Sequence, residues 1–211
     1  DVNLISKVAQ TNKPVFLSTG LADLKDIELA VKTLVSNNCR QFSLLKCTSS
    51  YPAPFEDINL LTMVDLANRF KCLTGVSDHT LGSIVPISSV SLGGRVIEKH
   101  LKLEDDDKSV DSFFSLSKTS FREMVDSVRK TETVLGSIDY NLSKSASKNF
   151  FCRRSLYYTN DVSKGEKLTS QNIASVRPHY GLHPSHYNDM IGSHVNRHIK
   201  KGERASMDDI I

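Results

Sequence analysis

The chain has 211 residues, of which 39% are hydrophobic and 24% charged, as in an ordinary globular protein. Its formal net charge of +3 is too small to indicate nucleic acid or an anionic membrane surface as a partner. We expect no membrane span and no signal peptide, because no apolar run has the required length or flanks. The four cysteines lack Cys-x-x-Cys spacing, which favours reduced thiols in a cytoplasmic protein.

The first 136 residues alternate short apolar runs with amphipathic stretches. Residues 15–17, 42–45, 73–76 and 96–97 are predicted strands. Predicted helices cover residues 3–9, 24–34, 60–67, 83–92 and 118–135, with Asp23 and Ser117 as N-caps and Gly136 at the last end. Residues 104–109 form a predicted polar loop. The pattern of strand followed by helix predicts a parallel α/β arrangement.

Four strand–helix units are half of an eight-unit TIM barrel. An open four-stranded sheet is the structural alternative. A half barrel exposes strand edges and part of its core. Because the pattern also begins abruptly at Asp1, we expect that the N-terminal part of the protein, with the first half of the barrel, is absent from this chain.

A segment rich in Ser, Lys and Asn, residues 137–149, is a predicted linker between a domain at 1–136 and a small, mostly β domain at 150–211. The second domain contains an internal repeat, in which residues 162–173 match residues 199–210 position by position. Each copy has a Lys-Gly turn followed by a Thr or Ser that can cap a helical turn. A dimerisation or stability module without chemistry is the alternative interpretation of this domain.

His79 and His100 each follow a predicted strand. The carboxyl ends of parallel strands share one edge of the sheet, so the two imidazoles should lie side by side there. Two imidazoles at such an edge indicate a metal site, with Asp78 and Glu98 as candidate orienting groups. Two hydrogen-bonded histidines that cap their strands are the alternative.

Arg177 lies in a loop, residues 175–184, with two prolines, a glycine and two histidines. A lone surface arginine is usually only solvated. An arginine held by the following Pro178 in such a loop is a candidate ligand contact.

Several motifs together resemble the sialic acid synthase family. They are Leu-Ser-Thr-Gly at 17–20, Lys-Cys-Thr-Ser-Ser-Tyr-Pro-Ala-Pro at 46–54, Ser-Asp-His-Thr-Leu-Gly at 77–82, Glu-Lys-His at 98–100 and Arg-Pro at 177–178. The C-terminal segment is similar to the family's antifreeze-like, or SAF, domain. The stretches 110–116, 151–157 and 177–184 are most similar to the pseudaminic acid branch. The resemblance covers the second half of the family's barrel and the whole C-terminal domain.

The resemblance implies a carbon–carbon bond-forming transferase. Phosphoenolpyruvate would condense with 2,4-diacetamido-2,4,6-trideoxy-L-altrose to give pseudaminic acid and phosphate, with Mn²⁺ or Mg²⁺ polarising the aldehyde. Formation of N-acetylneuraminic or legionaminic acid is the alternative within the family. An inactive truncated dimerisation or binding module is the alternative from another class, and this chain by itself is expected to be inactive without the missing strands. A different phosphoenolpyruvate-using aldolase-type barrel is disfavoured by the C-terminal repeat and its Arg-Pro loop.

The resemblance also implies roles for individual residues. His79 and His100 match metal ligands, and Glu98 matches an acidic residue near the reacting aldehyde. Phosphoenolpyruvate contacts match Ser18, Ser49 and Ser77, and sugar contacts match Tyr51, Asp111 and Arg177. Arg177 would enter the barrel of the partner in a homodimer.

Three departures from the family pattern qualify the resemblance. Ser49 stands where some members have asparagine, Ser109-Val110 replaces Gly-Pro before Asp111, and His179 replaces a glycine expected in the pseudaminic branch. The sugar pocket should therefore differ near Asp111. The family's further lysines and glutamate come from earlier strands, and Lys46 and Lys99 are not expected to replace them.

Overall fold

The computed structural model describes residues 1–103 and 108–211 and divides into two units, Asp1–Ser137 and Ile138–Ile211. Residues 104–107, which belong to the predicted polar loop, lie outside the described residues. Within the described ranges, no helix has the length and apolar character needed to cross a membrane.

The first unit is built on a parallel sheet with the order β1-β2-β3-β4. Its strands are β1 (Val15–Ser18), β2 (Phe42–Cys47), β3 (Leu73–Asp78) and β4 (Val96–Lys99). Its helices are α1 (Val2–Ala9), α2 (Leu24–Ser36), α3 (Leu61–Phe70), α4 (Ile84–Ser91) and α5 (Lys118–Leu135), with a short 3-10 turn at Phe55–Asp57. Every strand and helix predicted for this unit is present.

The helix termini show why these segments fold locally. Asp23 and Asp26 form a reciprocal capping box at the start of α2, in which Asp26 N donates to Asp23 at 2.9 Å. Ser117 accepts from Ser120 N at the start of α5, and Gly136, at φ +50°, follows its end. These contacts confirm the predicted caps.

Two short strands were not predicted. The strands β5 (Leu101–Lys102) and β6 (Leu116–Ser117) pair in parallel, with Leu101 opposite Leu116. Only His100 separates β5 from the end of β4, so β6 continues the parallel array past β4. A two-residue strand is too short to show a periodicity in sequence.

Helices cover one face of the sheet and leave the other open. Ile27 of α2, Leu44 of β2 and Leu66 of α3 form one buried cluster on the helical face. The opposite face carries Phe16 and Leu73, which are 59% and 61% exposed. A parallel sheet with helices on one face is the architecture of a half barrel, whose open face is the barrel interior.

The second unit is small and mostly β. The strands β7 (Ser155–Tyr158) and β8 (Ile173–Val176) are antiparallel, and isolated bridges complete the fold. Its remaining elements are α6 (Lys144–Ser147), α7 (Tyr187–Met190) and 3-10 turns at Phe150–Cys152, Pro184–His186 and Met207–Asp209. Leu156, Tyr158, Leu168, Met190 and Ile199 are among the members of its own core.

The internal repeat is a structural repeat. Val162 and Ile199, at equivalent positions of the two copies, exchange reciprocal backbone hydrogen bonds of 2.9 Å. In each copy a glutamate accepts from the backbone three residues earlier: Ser163 N donates to Glu166 at 2.9 Å, and Lys200 N donates to Glu203 at 2.6 Å. The same side-chain contacts therefore build both copies.

Candidate active site at the carboxyl ends of the strands

Four rings converge where the strands of the first unit end. The centroids of His79 and His100 are 5.2 Å apart, and Tyr51 lies 4.3 Å from His79. Phe114 closes the group at 4.8 Å from His100 and 5.3 Å from Tyr51. The two histidines are therefore neighbours, as the strand pattern predicted.

The ring of His79 is oriented by the loop that follows β2. Its Nδ1 lies 2.9 Å from the carbonyl oxygen of Thr48, which can only accept, so Nδ1 carries the proton. In the neutral imidazole this leaves a lone pair on Nε2. Strand β3 brings His79 to the edge, and Thr48 fixes which nitrogen can bind a ligand.

His100 lies between β4 and β5, and its side chain is 33% exposed. Its Nδ1 is 3.8 Å from Oδ2 of Asp111, a carboxylate that is 60% exposed. The backbone oxygen of His100 accepts from Leu116 N at 2.9 Å, which ties the histidine to β6. The loop that carries Asp111 and Phe114 thus returns to the site through a strand that was not predicted.

The expected orienting role of Asp78 is wrong, whereas that of Glu98 stays a prediction. The Asp78 carboxylate pairs with Lys99 at 2.7 Å, and both side chains are completely buried. Lys99 also donates to the carbonyl oxygen of Thr80. Since side chains alternate along a strand, Asp78 and Lys99 point away from the face on which the histidines lie. Thr48 orients His79, and Asp111 is the carboxylate near His100.

Glu98 lies on the open face of the sheet with Ser77. Ser77 stands opposite Glu98 in the register of β3 and β4, and its Oγ donates to Oε1 of Glu98 at 2.6 Å. A hydroxyl–carboxylate bond of this length is strong. This pair connects a predicted phosphoenolpyruvate contact with the predicted acidic residue.

The other two predicted phosphoenolpyruvate contacts lie toward β1. Ser18 ends β1 and is exposed, whereas Ser49 is half-buried in the loop after β2. A Cβ at Gly20 would lie 2.1 Å from the Ser49 Oγ and 2.9 Å from the Cys47 Sγ. The loops after β1 and β2 therefore approach each other closely, and a side chain at position 20 would require Ser49 and Cys47 to shift.

Lys46 supports the loop that orients His79. Its ammonium group donates to the oxygen of Cys47 at 2.7 Å and to Oγ1 of Thr48 at 3.1 Å. Burial lowers the pKa of Lys46 below its usual value. Thr48 and Phe114 were not predicted as site residues, although both lie within stretches that resemble the family, 46–54 and 110–116.

The donor set fits an open divalent-metal site. His79 offers Nε2, and the carboxylate of Asp111 lies 3.8 Å from Nδ1 of His100, beyond hydrogen-bond distance. Among the described residues, no group of three or more His, Cys, Asp or Glu side chains could hold a metal ion. Two protein ligands would leave several coordination positions for water and substrate oxygens.

Arg177 belongs to the second unit, where it is exposed on the loop after β8. The Ser155 Oγ holds this loop, since it donates to the oxygen of Pro178 at 2.7 Å and accepts from Gly181 N at 2.9 Å. The expected exposure of Arg177 is observed. Its role stays a prediction.

A parallel half-barrel sheet followed by a SAF domain defines the class of protein. The model of the NeuB family matches residues 1–140, and the SAF domain model matches residues 153–211. The chain belongs to the NeuB family. The resemblance to the sialic acid synthase family and the predicted fold class are thereby confirmed.

Two curated relatives and one solved structure illustrate the similarity. A pseudaminic acid synthase of Campylobacter jejuni is 38% identical over 209 residues, covering 99% of this chain and 61% of the relative. An N,N'-diacetyllegionaminic acid synthase of the same organism is 35% identical over 202 residues, covering 94% and 60%. The crystal structure of the spore coat polysaccharide biosynthesis protein spsE of Bacillus subtilis matches with a TM-score of 0.61 at 30% identity, covering all of this chain and 64% of that chain. The chain therefore spans about three fifths of the curated relatives that it matches.

Proposed function

We propose that this chain contributes to the condensation of phosphoenolpyruvate with 2,4-diacetamido-2,4,6-trideoxy-L-altrose, which yields pseudaminic acid and phosphate. The observation that carries the proposal is the convergence of His79, His100, Tyr51 and the Ser77–Glu98 pair at one sheet edge of a NeuB-family chain. The similarity to pseudaminic acid synthase supports this sugar. Phosphoenolpyruvate and an amino sugar are the proposed partners.

The histidines would hold the cofactor. His79 through Nε2, together with His100, would bind Mn²⁺ or Mg²⁺, and a bound cation would withdraw charge from the aldehyde oxygen of the open-chain sugar. In the neutral ring, the hydrogen bond from Nδ1 of His79 to Thr48 leaves the lone pair on Nε2 for this purpose. Asp111, beside Nδ1 of His100, would favour the same tautomer in the second ring and also meet the sugar.

The remaining site residues would bind and position the two substrates. Ser18, Ser49 and Ser77 would donate hydrogen bonds to the oxygens of phosphoenolpyruvate. Glu98 receives the Ser77 hydroxyl on Oε1, which leaves Oε2 to take a proton from a substrate hydroxyl or from the attacking water. Tyr51, packed on His79, would present one face of the pocket to the sugar.

A chimera tests the proposed function. In it, this chain replaces the corresponding part of the Campylobacter jejuni pseudaminic acid synthase. The chimera should consume phosphoenolpyruvate with the 2,4-diacetamido sugar and should prefer that sugar to N-acetylmannosamine in parallel assays. The variant His79→Gln should abolish condensation, whereas Asp65→Asn on the exposed side of α3 should not. A preference for N-acetylmannosamine, or for the legionaminic acid precursor, would assign the alternative substrate.

Metal titration of the 211-residue chain distinguishes the proposed enzyme function from that of a binding or assembly module. Mn²⁺ should broaden the ring resonances of His79 and His100 before those of His186 and His194. This order is expected because His79 and His100 face each other, whereas His186 pairs with Asp189 in the second unit. Equal broadening of all these histidines would argue for the module without a metal site.

Arg177 should act on the barrel of a partner subunit. The planar guanidinium would donate to an N-acetyl carbonyl of the sugar. In the chimera, Arg177→Ala and His79→Ala should each be nearly inactive, and mixed heterodimers should recover activity because one of their two sites has both native residues. Absence of recovery, after subunit exchange has been demonstrated, would show that Arg177 does not act in trans.

A further inference from the structure

A small cavity in the second unit is lined by basic and neutral groups. Its volume is about 140 Å³, and its titratable lining residues are Arg153, Arg154, His179 and His183. No Asp or Glu of the described ranges lines it. Pockets for drug-sized molecules have roughly 300–1,000 Å³, so this cavity suits a single small group.

The tautomer of His183 follows from its role as a cap. Its Nδ1 accepts from Ser185 N at 3.2 Å at the start of the 3-10 turn Pro184–His186, and the Ser185 Oγ lies 2.8 Å from the same nitrogen. A backbone N–H can only donate, so Nδ1 carries a lone pair. The proton of the neutral ring is therefore on Nε2.

The Nε2 of His183 faces another donor. It lies 3.5 Å from Nη2 of Arg153, a nitrogen that always carries hydrogens. In the neutral tautomer both nitrogens are N–H donors at this distance, and both side chains are exposed, so water reaches them. An oxyanion placed beside them would accept from both donors at once.

A third polar atom of the cavity lacks a partner. His179 Nδ1 is buried and has no hydrogen-bond partner among the described residues. The ring of His179 packs edge to face on Phe150 with centroids 4.5 Å apart, and the Arg153 guanidinium lies 5.0 Å from the centroid of the same Phe150 ring. Phe150 therefore contacts both Arg153 and His179.

Nearby acceptors of the chain are already used. Ser155 Oγ is engaged with Pro178 and Gly181, and the Ser175 oxygen accepts from Nη1 of Arg154 at 2.7 Å. Among the described residues, these two neighbouring acceptors are therefore already engaged by other donors.

We propose that this cavity binds a small oxyanion of the phosphate class, held between Nη2 of Arg153 and Nε2 of His183. An oxyanion would replace water as the acceptor of both donors and would offset the mutual repulsion of Arg153 and Arg154. The cavity lies within the second unit, and phosphate binding there does not depend on the function proposed above.

Titration of the 211-residue chain with inorganic phosphate at constant ionic strength tests the proposal. The ring ¹⁵N resonances of His179 and His183 should shift saturably. Arg153→Gln should weaken phosphate binding about tenfold or more, because it removes a charged hydrogen bond. His183→Asn should weaken it as well, since asparagine preserves the cap to Ser185 N but lacks the Nε2 donor.

Arg204→Gln is the matched control. It removes the same charge from the same unit at a guanidinium that stacks on Tyr180 and does not line the cavity. Its phosphate affinity should equal that of the unmodified chain. Equal weakening by Arg204→Gln and Arg153→Gln, or shifts that do not saturate, would overturn the site.

A parallel titration with pyruvate distinguishes the source of the oxyanion. Binding of phosphate alone would identify a phosphate site, and similar binding of pyruvate would extend the ligand class to carboxylates. Failure of both ligands to shift His179 and His183 would contradict the proposal.

Discussion

At the scale of single residues, the site depends on which neighbour each polar group selects. Asp78 and His79 are adjacent in sequence, yet their side chains lie on opposite faces of the end of β3. Asp78 forms a buried ion pair with Lys99, whereas His79 donates to Thr48. The ion pair joins β3 to β4 directly behind the two histidines, so it fixes the separation of the strands that carry them.

Breaking that ion pair should destabilise the first unit strongly. Asp78→Asn keeps an acceptor for Thr80 N but leaves the Lys99 charge buried without a counter-charge, which should cost roughly 3–5 kcal/mol. Urea unfolding followed by circular dichroism measures the loss.

Two variants serve as controls for this prediction. Asp65→Asn breaks the exposed Asp65–Arg69 pair of α3 and should cost about 0–1 kcal/mol. The double variant Asp78→Asn/Lys99→Met should lose less than Asp78→Asn, because it removes both buried charges. Equal losses for Asp78→Asn and Asp65→Asn would show that the buried pair contributes no more than a surface pair.

Tyr158 makes the stability of the second unit depend on pH. Burial and the adjacent Asp209 carboxylate, whose Oδ2 accepts from the phenol at 3.1 Å, raise the pKa of Tyr158 above its ordinary value of 10.0. The folded state thus favours the protonated phenol. Its stabilising contribution is complete below pH 10 and is lost as the pH rises further toward the folded-state pKa.

Tyr158→Phe should accordingly flatten the alkaline limb of the stability curve. The free energy of unfolding should fall less between pH 9.5 and 11 in the variant than in the unmodified chain, since the other tyrosines are common to both. Urea unfolding across that range measures both slopes. A steeper alkaline decline in Tyr158→Phe would contradict the assignment of the raised pKa.

At the scale of elements, the two copies of the repeat in the second unit share one sequence pattern, but the second copy makes more stabilising contacts than the first. In the first copy Asn172 accepts from Thr169 N at 2.7 Å, and in the second copy Asp209 accepts from Ser206 N at 2.9 Å. Asp209 also receives the Tyr158 hydroxyl and lies 2.8 Å from Arg197. The second copy therefore joins its turn to the core.

Truncation of the two equivalent residues should separate these contributions. Asn172→Ala should cost about 0.5–1.5 kcal/mol, because Thr169 N and the oxygen of Lys167 lose their side-chain partner and can turn to water. Asp209→Ala should cost more, because the Tyr158 hydroxyl also loses its acceptor, and Asp209→Asn should recover part of the loss. Comparable losses for both alanine variants in thermal unfolding would mean that the contacts of Asp209 to Tyr158 and Arg197 contribute nothing measurable.

At the scale of the whole molecule, the two units differ in how completely they bury their apolar side chains. The second unit encloses Leu156, Leu168, Ile173, Met190 and Val195 at zero exposure. The first unit leaves Phe16, Leu73 and Leu101 more than half exposed on its open face or beside it. Self-contained folding is therefore expected of the second unit rather than the first.

A fragment of residues 138–211 should fold independently. Its amide spectrum should overlay on that of the same residues in the 211-residue chain, and it should unfold cooperatively, because its core draws only on its own residues. The matched fragment 1–137 should bind a hydrophobic dye more strongly, owing to its open face. A collapsed amide spectrum for 138–211 would contradict the independence of this unit.

Interactions between residues close in sequence made much of the secondary structure predictable from the sequence alone. Apolar periodicity specified the four longer strands and their helices, and Asp23 and Ser117 marked helix starts because a cap needs only residues three positions apart. The meeting of His79 with His100 followed from parallel topology, which is itself encoded by the alternation of strands and helices. The repeat could also be recognised in the sequence, since each copy forms its turn with its own side chains.

Only the tertiary structure decided the contacts between segments distant in sequence. The bond of His79 to Thr48 spans 31 positions, the Asp78–Lys99 pair spans 21, and β6 exists only because Leu116 reaches β5. Such pairings leave no periodic pattern in the local sequence, because the two partners come within hydrogen-bond distance only when the chain has folded. The sequence therefore determined that two histidines meet, and the packing around them determined which groups orient each ring.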